Sequence, residues 1–416
     1  MRTHTLLTIL LVASPLAAVA GAEPWPGFRG PTGQGSSKEI RLPVSWSATR
    51  HVLWQRPIPG DSWSSPVVWG GRVFVTTARD EGRACHVVAL DRRTGEVLWD
   101  TLVFSQTLKR KEGRNTYATP TPVTDGARVY ASFGDGSFVA VDVVNGKVVW
   151  TNRDFPFYGQ HGLGTSLVLY RDLVIMARDG SNEGEDKRLG WQVPWDQSFI
   201  IALDARTGRQ RWKASRGLSR IAHVTPIVTR IGARDVLVSP AGDVVQAFDL
   251  GTGARLWSVA STGEGVVPSP VIAGGLVVTV SGFGAPTVRA VRPGATPEVV
   301  WEQTKGVPMQ ASPVASEGYV FVVTDSGILS ALDQTTGVQV WQQRLEGAFS
   351  ASPVAADGKL YLLNEACETW VVAPGAAYAL LSRNPLEGHC QASMAVSGGV
   401  LFIRTDAAVY AIGQPR

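Results

Sequence analysis

Three histidines are the first place to look for chemistry in this chain. His161, His223 and His389 would, if they converged, offer a zinc-type set of three imidazoles. Their spacings carry no motif, isolated histidines more often serve as hydrogen-bonded structure, and no metal is expected. Nucleophile elbows, phosphate-binding glycine loops and a His-Glu-x-x-His pair are absent from the sequence. Its carboxylates fall mostly in repeated turns, so no catalytic residue is nominated. What remains is a set of aromatic and hydrogen-bonding side chains, Trp63, Asn115, Tyr117, His161, His223, Gln310 and Gln391. Such a set suits a small polar ligand or a peptide better than it suits catalysis. The plainer reading stands beside it: polar residues around a channel are often satisfied by water and by one another.

These residues are grouped by their place in a repeat. Asp, then Gly four residues on, then Trp four further, occurs at Asp91/Gly95/Trp99, Asp142/Gly146/Trp150, Asp204/Gly208/Trp212, Asp249/Gly253/Trp257 and Asp333/Gly337/Trp341. A second signal, Ser or Thr before Pro and an aliphatic residue, recurs at Ser65, Thr121, Thr225, Ser269, Ser312 and Ser352, with degenerate copies at Thr165-Ser166-Leu167 and Ser393-Met394-Ala395. Eight units result. Each contains four short β-rich runs separated by Gly or Asp-Gly turns. The Asp folds its carboxylate onto following backbone N–H groups while Gly supplies positive φ, and Trp fills the space between sheets. The expected fold is all-β, an eight-bladed β-propeller of four-stranded antiparallel blades. The last unit lacks an outer run, and Leu53-Trp54-Gln55-Arg56 reads as that missing strand, so residues near 52 to 57 are expected to close the ring.

In such a ring the outer-to-inner and second-to-third connections share one face, here called the top. The long insertions, 104–117 and 180–195, both fall there. The first is basic, with Lys109, Arg110, Lys111 and Arg114; the second mixes Glu183, Glu185 and Asp186 with Lys187, Arg188, Trp191 and Trp195. Arg188, Trp191 and Trp195 are the candidate partner-binding residues, although a charged loop is usually only a solvated one. The residues two before each Ser or Thr, Trp63, Thr119, Leu163, His223, Val267, Gln310, Ser350 and Gln391, should line the mouth of the axial channel.

The first 22 residues read as a secretory signal peptide: Arg2, an apolar run from Leu6 to Ala13, then small residues to Ala22. Residues 23–44 are expected to form an extended arm and 45–416 a single propeller, periplasmic or secreted. No cysteine lies near the cleavage region, so no lipid anchor is expected. The formal charge is +4, and no basic run concentrates it, which argues against nucleic acid as a partner. Protein, glycan or a small ligand at the top face, and a monomeric state, are the expectations. The three cysteines allow one bridge at most, Cys367 and Cys390 being the nearer pair. Sparse cysteines are more commonly buried small hydrophobes, and that is the fate expected of them here.

The Asp-x-x-Thr-Gly-x-x-x-Trp turn with Ser-Pro-Val inner strands resembles the pyrroloquinoline quinone (PQQ)-like propeller repeats from about residue 45 onward. The segments Trp25-Pro26-Gly27-Phe28-Arg29-Gly30-Pro31, Arg114 to Ala118 and Lys305 to Pro308 look like an exported bacterial branch of that family. The resemblance implies the propeller and, in the quinoprotein dehydrogenases of the same superfamily, PQQ with calcium. It also implies kinship with an outer-membrane barrel-assembly lipoprotein. Neither site carries over: no two cysteines adjoin, and a lipidated cysteine at the mature start is missing. The expectation is a non-catalytic scaffold without a cofactor, with a PQQ-dependent oxidoreductase of atypical site as the alternative.

Overall fold

The computed structural model describes residues 22–414; the signal-peptide reading concerns a segment that lies, but for Ala22, outside them. Eight four-stranded antiparallel sheets follow one another along the chain, the first from 67–105 and the seventh from 354–385. The eighth combines three strands from 395–412 with Val52–Pro57, whose Trp54 pairs with Ala411 and Gln55 with Tyr410. The ring is thus an eight-bladed propeller closed by its N-terminal outer strand. Among the described residues no helix is long and apolar enough to cross a membrane.

The Asp-Gly-Trp repeat links neighbouring blades at five junctions. Asp91 Oδ1 accepts the N–H groups of Arg93 and Thr94 and the Thr94 hydroxyl, fixing the turn. Gly95 adopts φ +72°, and the Trp54 ring of the preceding blade lies so close that a Cβ there would sit 2.6 Å from it. The Trp54 indole N–H also reaches the Arg92 carbonyl at 2.9 Å. The same pairing recurs for Trp99 on Gly146, Trp150 on Gly208, Trp212 on Gly253 and Trp301 on Gly337. Glycine is required at these turns by both the positive φ and the ring above it.

The Ser-Pro signal makes a second ring. The Ser65 N–H donates to the Thr121 hydroxyl one blade on, Thr121 to Ser166, Ser166 to Thr225, and so on through Ser269, Ser312, Ser352 and Ser393, at 2.9 to 3.2 Å. Both degenerate copies join the ring, the third blade through Ser166, one residue beyond the expected Thr165, and the eighth through Ser393. At the seam of blades eight and one the series stops at Ser65, whose hydroxyl has no partner, and Arg404 of blade eight reaches instead to Ser64 Oγ and Thr76 O.

The arm does more than lead into the first blade. Trp25, wholly buried, exchanges two 2.8 Å backbone hydrogen bonds with Val68 on the inner strand of blade one. Pro26 accepts from Thr124 of blade two, the Gln34 side chain from Ile272 of blade five, Gly35 from Ala355 of blade seven and Glu23 from Ser397 of blade eight. Arg29, held down to about 9 by burial, donates to the Pro313 carbonyl ahead of the blade-six inner strand. The segment 23–37 therefore crosses the lower end of the channel.

The cysteine expectation is corrected. Cys367 and Cys390 are bridged, with Cα atoms 5.0 Å apart, and only Cys85 is a free thiol, buried in the first blades. Cys367 lies in a top-face turn of blade seven and Cys390 in the top-face connection into blade eight. The ring brings these loops together, which linear spacing does not reveal.

Candidate functional site

Above the hydroxyl ring opens an axial cavity of about 600 Å³. All eight ring residues, from Ser65 to Ser393, line it, and Phe28 of the arm lies on its wall from below. With the arm across the lower end, the cavity opens on the top face. Its mouth is built by outer-to-inner connections carrying Trp63, Asn115, His161, His223, Gln310 and Gln391, and by second-to-third connections carrying Trp191 and Phe283.

These side chains divide by how far they are already satisfied. Asn115 is committed on both sides: its amide donates to the His161 carbonyl at 2.9 Å, and its Oδ1 accepts the Thr116 N–H at 2.8 Å and the Thr119 hydroxyl. The Gln310 amide donates to Asp325 at 2.8 Å, and that of Gln391 to His389 Nε2 at 3.1 Å. The imidazoles of His161 and His223 differ, standing side by side with ring centres 5.9 Å apart and making no hydrogen bond among the described residues. His223 Nδ1 is shut off from water without a partner, close against Gly164. Burial lowers the pKa of His161, and burial with His161 beside it pushes His223 down to about 3, so both are neutral at physiological pH. Trp191 meets the His161 ring edge-on at 5.8 Å.

His389 lies elsewhere, against Trp63 with ring centres 5.6 Å apart, on a second top-face cavity of about 590 Å³. The three histidines are not brought together, and among the described residues no group of three or more His, Cys, Asp or Glu is placed to share an ion. Tyr117 also sits on the second cavity rather than the axial one, its hydroxyl donating to the Lys109 carbonyl. Leu163 is buried in the core between blades two and three, leaving Gly164 on the wall. The two insertions meet through Lys109 and Glu183 at 2.8 Å. Of the three partner candidates, Trp191 lines the axial cavity. Arg188 turns back to pair with Asp186 in its own loop, and Trp195 forms a backbone bridge to Ser219.

Sequence reading missed Phe28, Glu264 and Phe283 on the wall. Glu264 and Phe283 each stand between two glycines in top-face connections, a signal that was available. Calcium-held quinone needs several oxygen ligands gathered on one ion. The axial wall offers the carboxylates Glu112 and Glu264, with Glu264 taken by Arg220 at 3.3 Å, and no Asp. That donor set does not fit the group.

A family model described as outer membrane protein assembly factor BamB matches residues 44–281 and 284–373. The chain belongs to this family. It is 29% identical over 196 residues to the outer membrane protein assembly factor BamB of Bordetella pertussis, covering 46% of this chain and only 42% of that relative's length. Among solved structures, BamB from Moraxella catarrhalis superposes with a TM-score of 0.61 at 12% identity, covering 87% of this chain and 99% of that one. Quinohemoprotein alcohol dehydrogenase from Comamonas testosteroni gives 0.63 at 12%, covering 95% and 81%. At such identities both superpositions speak to the fold alone.

Proposed function

We propose that this BamB-family propeller is an exported, non-catalytic scaffold that seats a segment of a partner protein on its top face. The observation that carries the reading is the blind axial cavity, where Trp63, Trp191 and Phe283 stand around a wall of Ser and Thr residues with His161 and His223. Aromatic rings supply contact area, and free ring nitrogens supply specificity. A polypeptide offers both kinds of group, and the relatives' name, an assembly factor, speaks for a protein partner over a glycan or a small polar ligand. Export rests on the leader-like first residues. The oxidoreductase reading has the shared fold in its favour and the wall's donor set against it.

The test is to replace residues 180–195 by a short Gly-Ser turn and compare the intact and replaced proteins as baits on the exported fraction, with a photo-crosslinking residue in place of the exposed Phe283. The intact protein should capture a discrete partner that the replaced one loses, while both melt alike. Equal capture by both baits would overturn the reading.

A further inference from the structure

The two top-face cavities share four wall residues, Trp63, Arg114, Asn115 and Gln391. Of these, Arg114 carries a long charged side chain that spans from one insertion to another blade. From the first insertion its guanidinium reaches across the face to Glu365 of blade seven at 2.5 Å, where the Ser350 hydroxyl also donates. The two partners are unlike: the Arg114 side chain is 51% exposed, the Glu365 side chain 17%. A half-exposed cation contributes little through such a pair and exchanges it easily.

The backbone beneath Arg114 is anchored independently. The Trp63 indole donates to the Arg114 carbonyl at 2.9 Å, and the neighbouring Asn115 is fixed to His161. Its side chain can therefore leave Glu365 without the backbone moving, which opens the shared wall of the two cavities as one trough. Charge favours a cation as the replacement. Asp61, Glu365 and Asp406 face Lys111 and Arg114 in the second cavity, Glu81 being engaged by Arg83. With Arg114 withdrawn, three carboxylates face one lysine. At the other end of the trough wait the aromatic rings and the neutral imidazoles.

We propose that Arg114 is a place-holder. The top face takes an extended segment of a partner polypeptide whose Lys or Arg displaces Arg114 from Glu365 while a nearby aromatic side chain enters the axial cavity. This rests on the protein-segment reading above and adds the chemistry of the segment.

The probes are fluorescein-labelled synthetic peptides carrying one Trp and one Arg separated by one to four Gly or Ser, with matched peptides in which Gln or Glu replaces Arg. Anisotropy titrations compare the full-length protein with Arg114→Ala, Arg114→Gln and Glu365→Gln, each checked by melting. The Arg peptides should bind best, several-fold more tightly to both Arg114 variants because the internal competitor is gone, and Glu365→Gln should reduce them to the level of the Gln controls. Arg and Gln peptides binding alike, or weaker binding to the Arg114 variants, would overturn this inference and leave the broader reading standing. Failure of every peptide with every protein would overturn both.

Discussion

The two ends of the axial channel are closed by different physics. At the lower end the arm is held by backbone hydrogen bonds to the inner strands, with Trp25 and Arg29 buried among them. At the upper end the insertions keep some backbone bonds, Trp195 with Ser219 and Ser181 with Tyr158, but are tied to each other and across the face by side-chain pairs that water reaches, Lys109 with Glu183 and Arg114 with Glu365. Buried backbone bonds are expensive to break because each leaves an unsatisfied group, whereas exposed ion pairs are nearly free to exchange. One end is held by bonds that are costly to open, and the other is spanned by pairs that can exchange. The comparison explains why the insertions can differ from blade to blade while the turns and hydroxyls beneath them repeat.

The largest expected effect tests the lower end. Deleting residues 23–57 removes the plug and the strand that pairs with Ala408–Ile412, leaving an open edge on blade eight. Loss of well over ~5 kcal/mol is expected, beyond the range of single substitutions. Size-exclusion chromatography should show association and scanning calorimetry a collapsed transition. A monomer that melts like the parent would mean that the ring closes without its arm.

Between the two ends lie the blade contacts, and Trp212→Ala probes them. Trp212 is 6% exposed, covers Gly253 of the next blade and donates to Leu250 O at 2.9 Å. Removing it should destabilise by roughly 3 to 5 kcal/mol, read as a shifted denaturation midpoint at constant slope. A shift no larger than that of an exposed outer-strand residue such as Val340 would remove the interblade Trp from the account.

How much of this was legible beforehand divides along the same line. Periodic features were readable because each is local: Asp91, Gly95 and Trp99 state their turn within nine residues, and Trp54 betrayed the closing strand as an outer run without a blade. Features that depend on which blades become neighbours were not. Phe28 reaches the axial cavity, and Gln34 meets Ile272, only because the arm crosses the whole lower face. Cys367 finds Cys390, and Arg114 finds Glu365, through the same closure of the ring. Asn115 and Gln310 stand on the cavity wall, yet their amides are spent on structure, which only the three-dimensional partners reveal. Tyr117 looked equivalent to Asn115 in sequence, but its ring packs beside Gly134 and its hydroxyl serves the insertion's own backbone.

The smallest expected effect separates the two ends most finely, because the hydroxyl ring belongs to both: it ties the blades and lines the cavity. In Ser312→Ala the Ser269 N–H loses its 3.0 Å acceptor. A buried donor left unsatisfied costs roughly 1 to 3 kcal/mol. Cavity water can substitute at this position, which places the expectation near the lower end of that range. Ser65→Ala is the internal control. The residue lines the same cavity, but its buried hydroxyl accepts no N–H, since the series stops at the seam with blade eight. Its removal should leave the denaturation midpoint within about 0.5 kcal/mol of the parent. If the two substitutions proved equal, the hydroxyls would matter as cavity lining alone, and the seven interblade bonds would be incidental to stability. If Ser312→Ala is the weaker variant, the ring holds the blades at the very level where the top face begins to exchange partners, and the boundary between the rigid and the adaptable half of the channel lies at these hydroxyls.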